Sequence, residues 1–440
     1  MKALVKNLLI AMMVPAALCA QSMSGLSDAK PISLDEAVKL AQQNQPSTVS
    51  ARNALRTGES TVRSTLLGYL PQPSLGISAS QRGGTQIVQG VPLPLTGNPW
   101  SYSRSVSFGT VTLFDGMQRW NNYKAAQANL TVSDANVITQ NYSVALNVKT
   151  QYYAVLTARE QESAAQRQLE TAQQQLRVST AKMNAGSATR TDSLSGAIAV
   201  ANARQAILNA QNQLLNANAA LTRFVATPFT VTAMPADTAD IAPLGVDDAA
   251  LLTMALEGPS VRQTTASLSA AQATQRAAKA PYMPTVTMNG SYGQTPASSK
   301  TFDWGGGTAS TSTSLGFNIN YPLFDGYRRE QTMVTARVGL ENAEANLRDA
   351  KFLAQQNLST QLNTYRTAML SIDLSKLNIQ ASEETLRVVQ QQYNLGTKQL
   401  LDLLTAQTSL DNARTSLITA RQAARIAKAN IESLIGRDLK

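Results

Sequence analysis

The chain has 440 residues, of which 43% are hydrophobic, only 5% aromatic and 15% charged, and its formal net charge is +10. The apolar content is largely alanine, which excludes a thick aromatic-filled core and suits closely packed helices. With no histidine and a single cysteine, Cys19, His-based triads and His-ligated metals are excluded, and so are thiol nucleophiles once the leader is removed.

Residues 1–20 carry Lys2 and Lys6, an apolar run from Leu8 to Leu18, and then Cys19-Ala20. This is the layout of a secretory signal, with cleavage expected after Ala20. Lipid attachment at Cys19 is the alternative, for which Leu18 is a poor fit. No later run of 18 apolar residues predicts a transmembrane helix, so an exported product is either soluble or a membrane β-barrel. The basic residues are scattered among Gln and Ala, which argues against nucleic acid as a partner.

Residues 33–45 predict a short helix with Ser33 and Glu36 at capping-box spacing. Pro46 interrupts it, and a second helix is expected from about 47 to 68. Counterparts are expected over 247–257 and 260–280. Each pair is followed by proline and then a run of period two. Residues 74–80, 101–114, 285–293 and 312–323 place side chains such as Leu75, Ile77, Phe108, Met288, Phe317 and Ile319 opposite Ser, Thr and Asn. These predict four strands of roughly ten residues, apolar on one side and uncharged polar on the other, as lipid outside and water inside require. A soluble sandwich with one wet face is the alternative. The Gly/Pro-rich segments 82–100 and 294–311, with Gly83-Gly84 and Gly305-Gly306-Gly307, read as exposed hairpin loops, and Trp100 and Trp304 stand where interfacial aromatics sit.

Leu113-Phe114-Asp115-Gly116 and Leu323-Phe324-Asp325-Gly326 then turn strand into helix, the aspartates as caps and the glycines relaxing the backbone. The proline-free runs 117–185 and 327–394 predict helices on the order of 100 Å long. Leu130, Val137 and Val144, or Val148 and Val155, recur seven apart, a coiled-coil spacing. Each run ends in Asn-x-Gly, a left-handed helix stop, at Gly186 and Gly396, and a second helical run follows. Residues 178–204 and 388–414 share one pattern in a constant register of 210 residues (396 − 186). Upstream the register is 213 (282 − 69), matching Tyr69-Leu70-Pro71 to Tyr282-Met283-Pro284. The chain therefore reads as an internal duplication: signal 1–20, first repeat 21–225, linker 226–245 with Pro228, Pro235 and Pro243, and second repeat 246–440.

Four strands cannot span a bilayer as an open sheet, because their edge groups would be unsatisfied in lipid. Closure needs strands from other chains, and three protomers would supply twelve. On these marks, and on Tyr393-Asn394-Leu395-Gly396-Thr397 followed by Leu401-Asp402-Leu403-Leu404, the mature chain resembles the TolC family of outer-membrane efflux channels. The resemblance implies a mixed α and β fold: a homotrimer in the bacterial outer membrane, four strands per protomer in a shared 12-stranded β-barrel, and coiled-coil helices forming a periplasmic tunnel. It implies gating at the tunnel end by an inner-membrane pump and a periplasmic adaptor, in a tripartite efflux or type I secretion system. Carried over by position, Tyr393 and Lys398 would face Asp192 and Thr191, and Asp402 would supply a carboxylate ring at the constriction. Lys398 stands where the family often has arginine, and Thr405 where a second ring aspartate is often found.

Asp192 and Asp402 also occupy first helical turns, where the macrodipole favours an acid on its own account. A competing function is a periplasmic adaptor that binds pump components without conducting; two hairpins and lipid-type strands argue against it. An enzyme is not supported, because the acids are dispersed along helices without a pocket, and no cofactor or metal site is predicted.

Overall fold

The computed structural model describes residues 29–81, 85–94, 100–235, 244–296 and 309–439. The signal with Cys19, Gly83, Gly84, Pro243, Trp304 and Gly305 to Gly307 lie outside the described residues. In chain order the elements are β1 (Lys30–Ile32), α1 (Leu34–Asn44), α2 (Pro46–Leu67), β2 (Ser74–Gln81), β3 (Thr85–Val88), β4 (Val91–Pro94), β5 (Trp100–Phe114), α3 (Gln118–Asn184), α4 (Arg190–Val225), β6 (Val231–Ala233), α5 (Asp248–Leu256), α6 (Pro259–Ala277), β7 (Thr285–Pro296), β8 (Ala309–Asn320), α7 (Arg328–Asn394) and α8 (Leu400–Ile435). A 3-10 turn, Ala280–Tyr282, precedes β7. The long helices α3 and α7 each have 67 residues, and α4 and α8 each have 36. None of the described helices is long and apolar enough to cross a membrane.

The described residues form two compact units, each drawing on both halves of the sequence. One comprises residues within 29–44, 147–235 and 370–422. Its centre is the parallel pair β1 and β6, with Ile32, Val231 and Ala233 buried. Buried Tyr152 of α3 donates its hydroxyl to Ile32 O at 3.1 Å and accepts Met234 N–H at 3.0 Å. Arg159 donates to Ala233 O and to Thr232 Oγ1, both at 2.8 Å. Part of the 226–245 segment, read as a linker, is thus a buried strand held to α3 by a tyrosine and an arginine. Three residues are too few to show a period of two, and β1 escapes sequence reading for the same reason. Val148, Val155 and Leu156 are likewise buried, each such side chain contributing about 1.5–3 kcal/mol on leaving water.

The other unit comprises described residues within 45–146, 244–369 and 423–439. It holds an antiparallel sheet in the order β2-β5-β7-β8. Directly opposed serines bond through their hydroxyls on one face: Ser74 with Ser107 at 2.7 Å, Ser78 with Ser103 at 2.6 Å, and Ser291 with Ser314 at 2.8 Å. Leu75, Ile77, Phe317 and Ile319 occupy the opposite face and are exposed. A bulge at Gly109 (φ 66°) breaks the β5–β7 register between Ser107 and Thr110. The segment 82–100, read as a loop, contains the hairpin β3–β4. Its turn, Gln89-Gly90, has φ of 51° and 83°, the two left-handed residues that match the twist of the flanking strands.

Candidate functional site

The two helical hairpin turns lie in the first of these units and are built alike. Gly186 (φ 74°) donates its N–H to Met183 O at 3.0 Å, and Ser187 N–H donates to Lys182 O at 2.9 Å. Gly396 (φ 77°) donates to Tyr393 O at 3.2 Å, and Thr397 N–H to Gln392 O at 3.0 Å. In this arrangement a left-handed residue lets the final amides satisfy helix-end carbonyls. The hydroxyls of Ser187 and Thr397 add a second bond to the same carbonyls.

Across each turn an aspartate caps the next helix. Asp192 Oδ2 accepts the Thr189 N–H and hydroxyl, both at 2.9 Å, while Thr189 Oγ1 accepts Asp192 N–H at 3.2 Å, a complete capping box. Asp402 Oδ2 accepts Gln399 N–H at 3.1 Å and lies 3.8 Å from Lys398 Nζ. That ion pair is about half exposed and contributes little by itself. Thr191 is exposed on the first turn of α4. Among the described residues, Lys398 is engaged by Asp402 and makes no bond to Thr191.

Tyr393 is buried with Leu400 and Leu403, against Val178, Leu386, Val389 and Leu404. Its hydroxyl has no hydrogen-bond partner among the described residues. Burial first, and the Asp192 carboxylate second, push its pKa above the ordinary phenol value. Asp192 is therefore within electrostatic range of Tyr393 without bonding to it. What ties the two hairpins is Lys182, which sequence reading did not single out. Its Nζ donates to Tyr393 O at 2.8 Å and stands 3.9 Å from the ring centroid. Its position in the second copy is Gln392, so the only cue was a basic residue in the last turn of a helix.

Behind the turns, a cavity of about 540 Å³ is lined by residues including Ala172, Asn202, Leu404, Thr408 and Asp411. Burial raises the Asp411 pKa and the nearby Arg414 guanidinium lowers it, burial being the larger effect. Arg414 donates to Glu383 at 3.0 Å.

At the strand exits the same cluster is built twice. Asp115 Oδ2 accepts Arg119 N–H at 3.1 Å and Nε–H at 2.8 Å, Arg119 also donates to Thr112 O, and its guanidinium lies 4.6 Å from the Tyr69 ring centroid. Asp325 accepts the N–H and Nε–H of Arg329, both at 3.0 Å, and that guanidinium lies 5.3 Å from the Tyr282 ring. Gly116 and Gly326 adopt φ of 63° and 66°, followed by left-handed Met117 and Tyr327. The two arginines went unremarked in the sequence, although each stands four residues after its aspartate.

Comparison with known proteins bears on this arrangement. The family model described as Outer membrane efflux protein matches residues 37–227 and 251–437. Outer membrane protein TolC of Escherichia coli (strain K12) is 25% identical over 122 residues, 28% of this chain and 25% of that protein, so the match spans a quarter of that relative's length. Outer membrane efflux protein BepC of Brucella suis is 23% identical over 74% of this chain and 70% of its own. The crystal structure of CusC, described for its transmembrane channel formation, superposes with a TM-score of 0.78 at 17% identity, covering 94% of this chain and 96% of that one.

Proposed function

The chain belongs to the outer membrane efflux protein family, and on that premise we propose that it is the outer-membrane exit duct of a tripartite efflux pump or type I secretion system. The observation that carries this reading is the β2-β5-β7-β8 sheet, apolar on one side, serine-lined on the other and unpaired at both edges among the described residues. In lipid such edges must be closed. Three copies give twelve strands, with apolar side chains toward lipid and hydroxyls toward a water-filled lumen. In this reading the chain is one duplicated unit, residues 21–225 and 246–440 joined by 226–245, behind a cleaved signal at 1–20. Its hairpins form a tunnel in the periplasm that meets an adaptor and an inner-membrane pump.

The hairpin turns are then the gate. Lys182 and Tyr393 hold the two hairpins of one protomer together, while Asp192, Thr191 and Lys398 present polar groups at the mouth. Asp402 contributes one carboxylate per protomer to a ring that favours cations. Its pairing with Lys398 over 3.8 Å is loose enough to exchange for a passing cation. Asp115, Gly116, Asp325 and Gly326 join barrel to tunnel.

Single-channel conductance in planar bilayers tests the proposal, with a trivalent cation added on the helical side. Small cation-selective openings blocked by that ion support it. Membrane-inserted oligomers that stay silent even when Lys182, Tyr393 and Lys398 are replaced refute it.

A further inference from the structure

Arg104 is the one charged residue in β2, β5, β7 and β8, and it stands on the apolar side of their sheet. Ile77 opposes it on β2 and Gln294 on β7. Val106, two residues on, shares that face with Tyr292 opposite, whereas the adjacent Ser103 turns to the serine side and bonds Ser78 at 2.6 Å. Period two therefore sets a guanidinium among the side chains that the barrel reading turns toward lipid. A charge on that face is costly at mid-depth and accommodated only near an interface.

The height of Arg104 along the strands answers to that rule. β5, β7 and β8 meet the helix-bearing end of the sheet at Phe114, Thr285 and Asn320. Climbing from there, the apolar face of β7 runs through Val286, Met288 and Tyr292 before Gln294. That of β8 runs through Ile319, Phe317 and Leu315 before Thr313 and Thr311. The change from apolar to polar is complete at the row holding Arg104, Gln294 and Thr311. At about 3.4 Å per residue on a strand leaning about 40°, that row lies roughly 20–25 Å from the helix end, close to the height of about 25 Å of a lipid-facing apolar band. Arg104 thus marks the rim of the band on the side away from the helices.

The polar groups around it are arranged as donors. Gln294 Oε1 accepts Arg104 Nε–H at 2.8 Å, and Gln294 Nε2 donates to the Tyr292 hydroxyl at 2.9 Å. The amide orients the guanidinium by one edge, and the Tyr292 hydroxyl, which is 43% exposed with its ring, accepts from the amide and has its own proton to donate. A planar guanidinium fork matches phosphate oxygens, and a phosphate monoester, with about −1.5 to −2 charge at neutral pH, attracts it more strongly than a singly charged diester.

We propose that Arg104, oriented by Gln294 and joined by the Tyr292 hydroxyl, binds a phosphate monoester of an anionic glycolipid in the outer leaflet, so that each copy carries one headgroup site on its membrane face. The inference rests on the outer-membrane channel reading above, which puts the helices in the periplasm and this rim at the opposite surface, and it specifies the lipid contact of that channel.

The test reconstitutes the assembled full chain in phosphatidylcholine vesicles that also hold diphosphoryl lipid A, its dephosphorylated form, or phosphatidylglycerol, and counts by mass spectrometry the lipid retained after mild detergent extraction. Wild type is expected to retain diphosphoryl lipid A over the dephosphorylated form by about tenfold or more. Arg104→Gln should lose that preference and Arg104→Lys keep part of it. Gln294→Glu still holds the guanidinium but sets a carboxylate beside the site, so it should lose the preference with the sheet intact. No preference in wild type, or equal preference in wild type, Arg104→Gln and Gln294→Glu, overturns the site. Phosphatidylglycerol retained as strongly as lipid A overturns the assignment to a phosphate monoester of the outer leaflet. Conductance separates the failures: oligomers that conduct without the preference remove this site alone, and oligomers that lack it and stay silent with Lys182, Tyr393 and Lys398 replaced remove the channel reading as well.

Discussion

Lys182 and Tyr393 meet twice, through a 2.8 Å bond from Nζ to the Tyr393 carbonyl and through the ammonium standing 3.9 Å from the centre of the ring. The carbonyl is the one that also accepts Gly396 N–H. One lysine on the first hairpin thus holds the helix end, the turn and the aromatic ring of the second. Because Tyr393 also packs on Leu400 and Leu403, displacing the lysine disturbs both sides of that turn.

Lys182→Met keeps the length of the side chain and removes its charge and donor. A bond from a charged donor is worth about 1.5–3 kcal/mol, so the hairpins should separate more readily. Resting conductance is expected to rise while the oligomer survives, and Lys182→Arg should restore most of the closed behaviour. Equal conductance in Met and wild type would reduce the contact to packing.

Tyr393→Phe removes a hydroxyl that has no partner among the described residues. Deleting a buried unsatisfied group is close to neutral for folding, so the thermal midpoint should hold. Combined with Lys398→Ala it should raise resting conductance if these residues link hairpins at the mouth. A lowered midpoint without a change in conductance would point to a structural role alone.

Asp402→Asn preserves a side-chain oxygen able to accept Gln399 N–H from the third position of α8. Trivalent-ion block should nevertheless weaken on the order of tenfold or more, equivalent to about 1.4 kcal/mol. Block that is unchanged in the asparagine variant would leave Asp402 a helix cap with no place in the constriction.

Much of this arrangement was legible in the sequence because it rests on local rules repeated over many residues. Period-two alternation located all four long strands, absence of proline located α3 and α7, and Asn-x-Gly located both turns. The acids were located too, but their partners were not: Asp192 bonds to Thr189 and Asp402 to Gln399, which depends on where each helix starts. Lys182 was invisible because its partner is a main-chain carbonyl 211 residues away, and a carbonyl carries no sequence signature. Arg119 and Arg329 were missed for a similar reason, since their aromatic partners lie on other elements.

Asp411 gives a pH-dependent prediction. Burial raises its pKa above the unfolded value, so the folded chain holds the proton more tightly than the unfolded chain. The sign is therefore destabilising as pH rises: the ionised carboxylate costs stability above the raised pKa, and that cost disappears below the unfolded value near 3.8. Asp411→Asn should raise the thermal midpoint at neutral pH, with the gain shrinking toward zero as pH falls through the carboxylate range. A gain that persists at low pH would trace to packing instead of charge.

Gly116→Ala and Gly326→Ala separate the folding of one chain from the joining of several. Both positions have positive φ, so either alanine carries a backbone cost of about 1–2 kcal/mol. At Gly116 the added carbon also strikes Met283 and the Ala280 carbonyl, overpacking that costs a further 1–3 kcal/mol or so. The Gly116 variant should therefore lose folded protomer. Gly326 has open space in the single chain, so its variant should fold with only the backbone cost and lose oligomer only if another copy packs against that glycine. Limited proteolysis of detergent-solubilised protomers and the yield of heat-resistant oligomer read the two steps apart. A Gly326 variant that folds and assembles as wild type would show that nothing presses against that glycine in the finished channel.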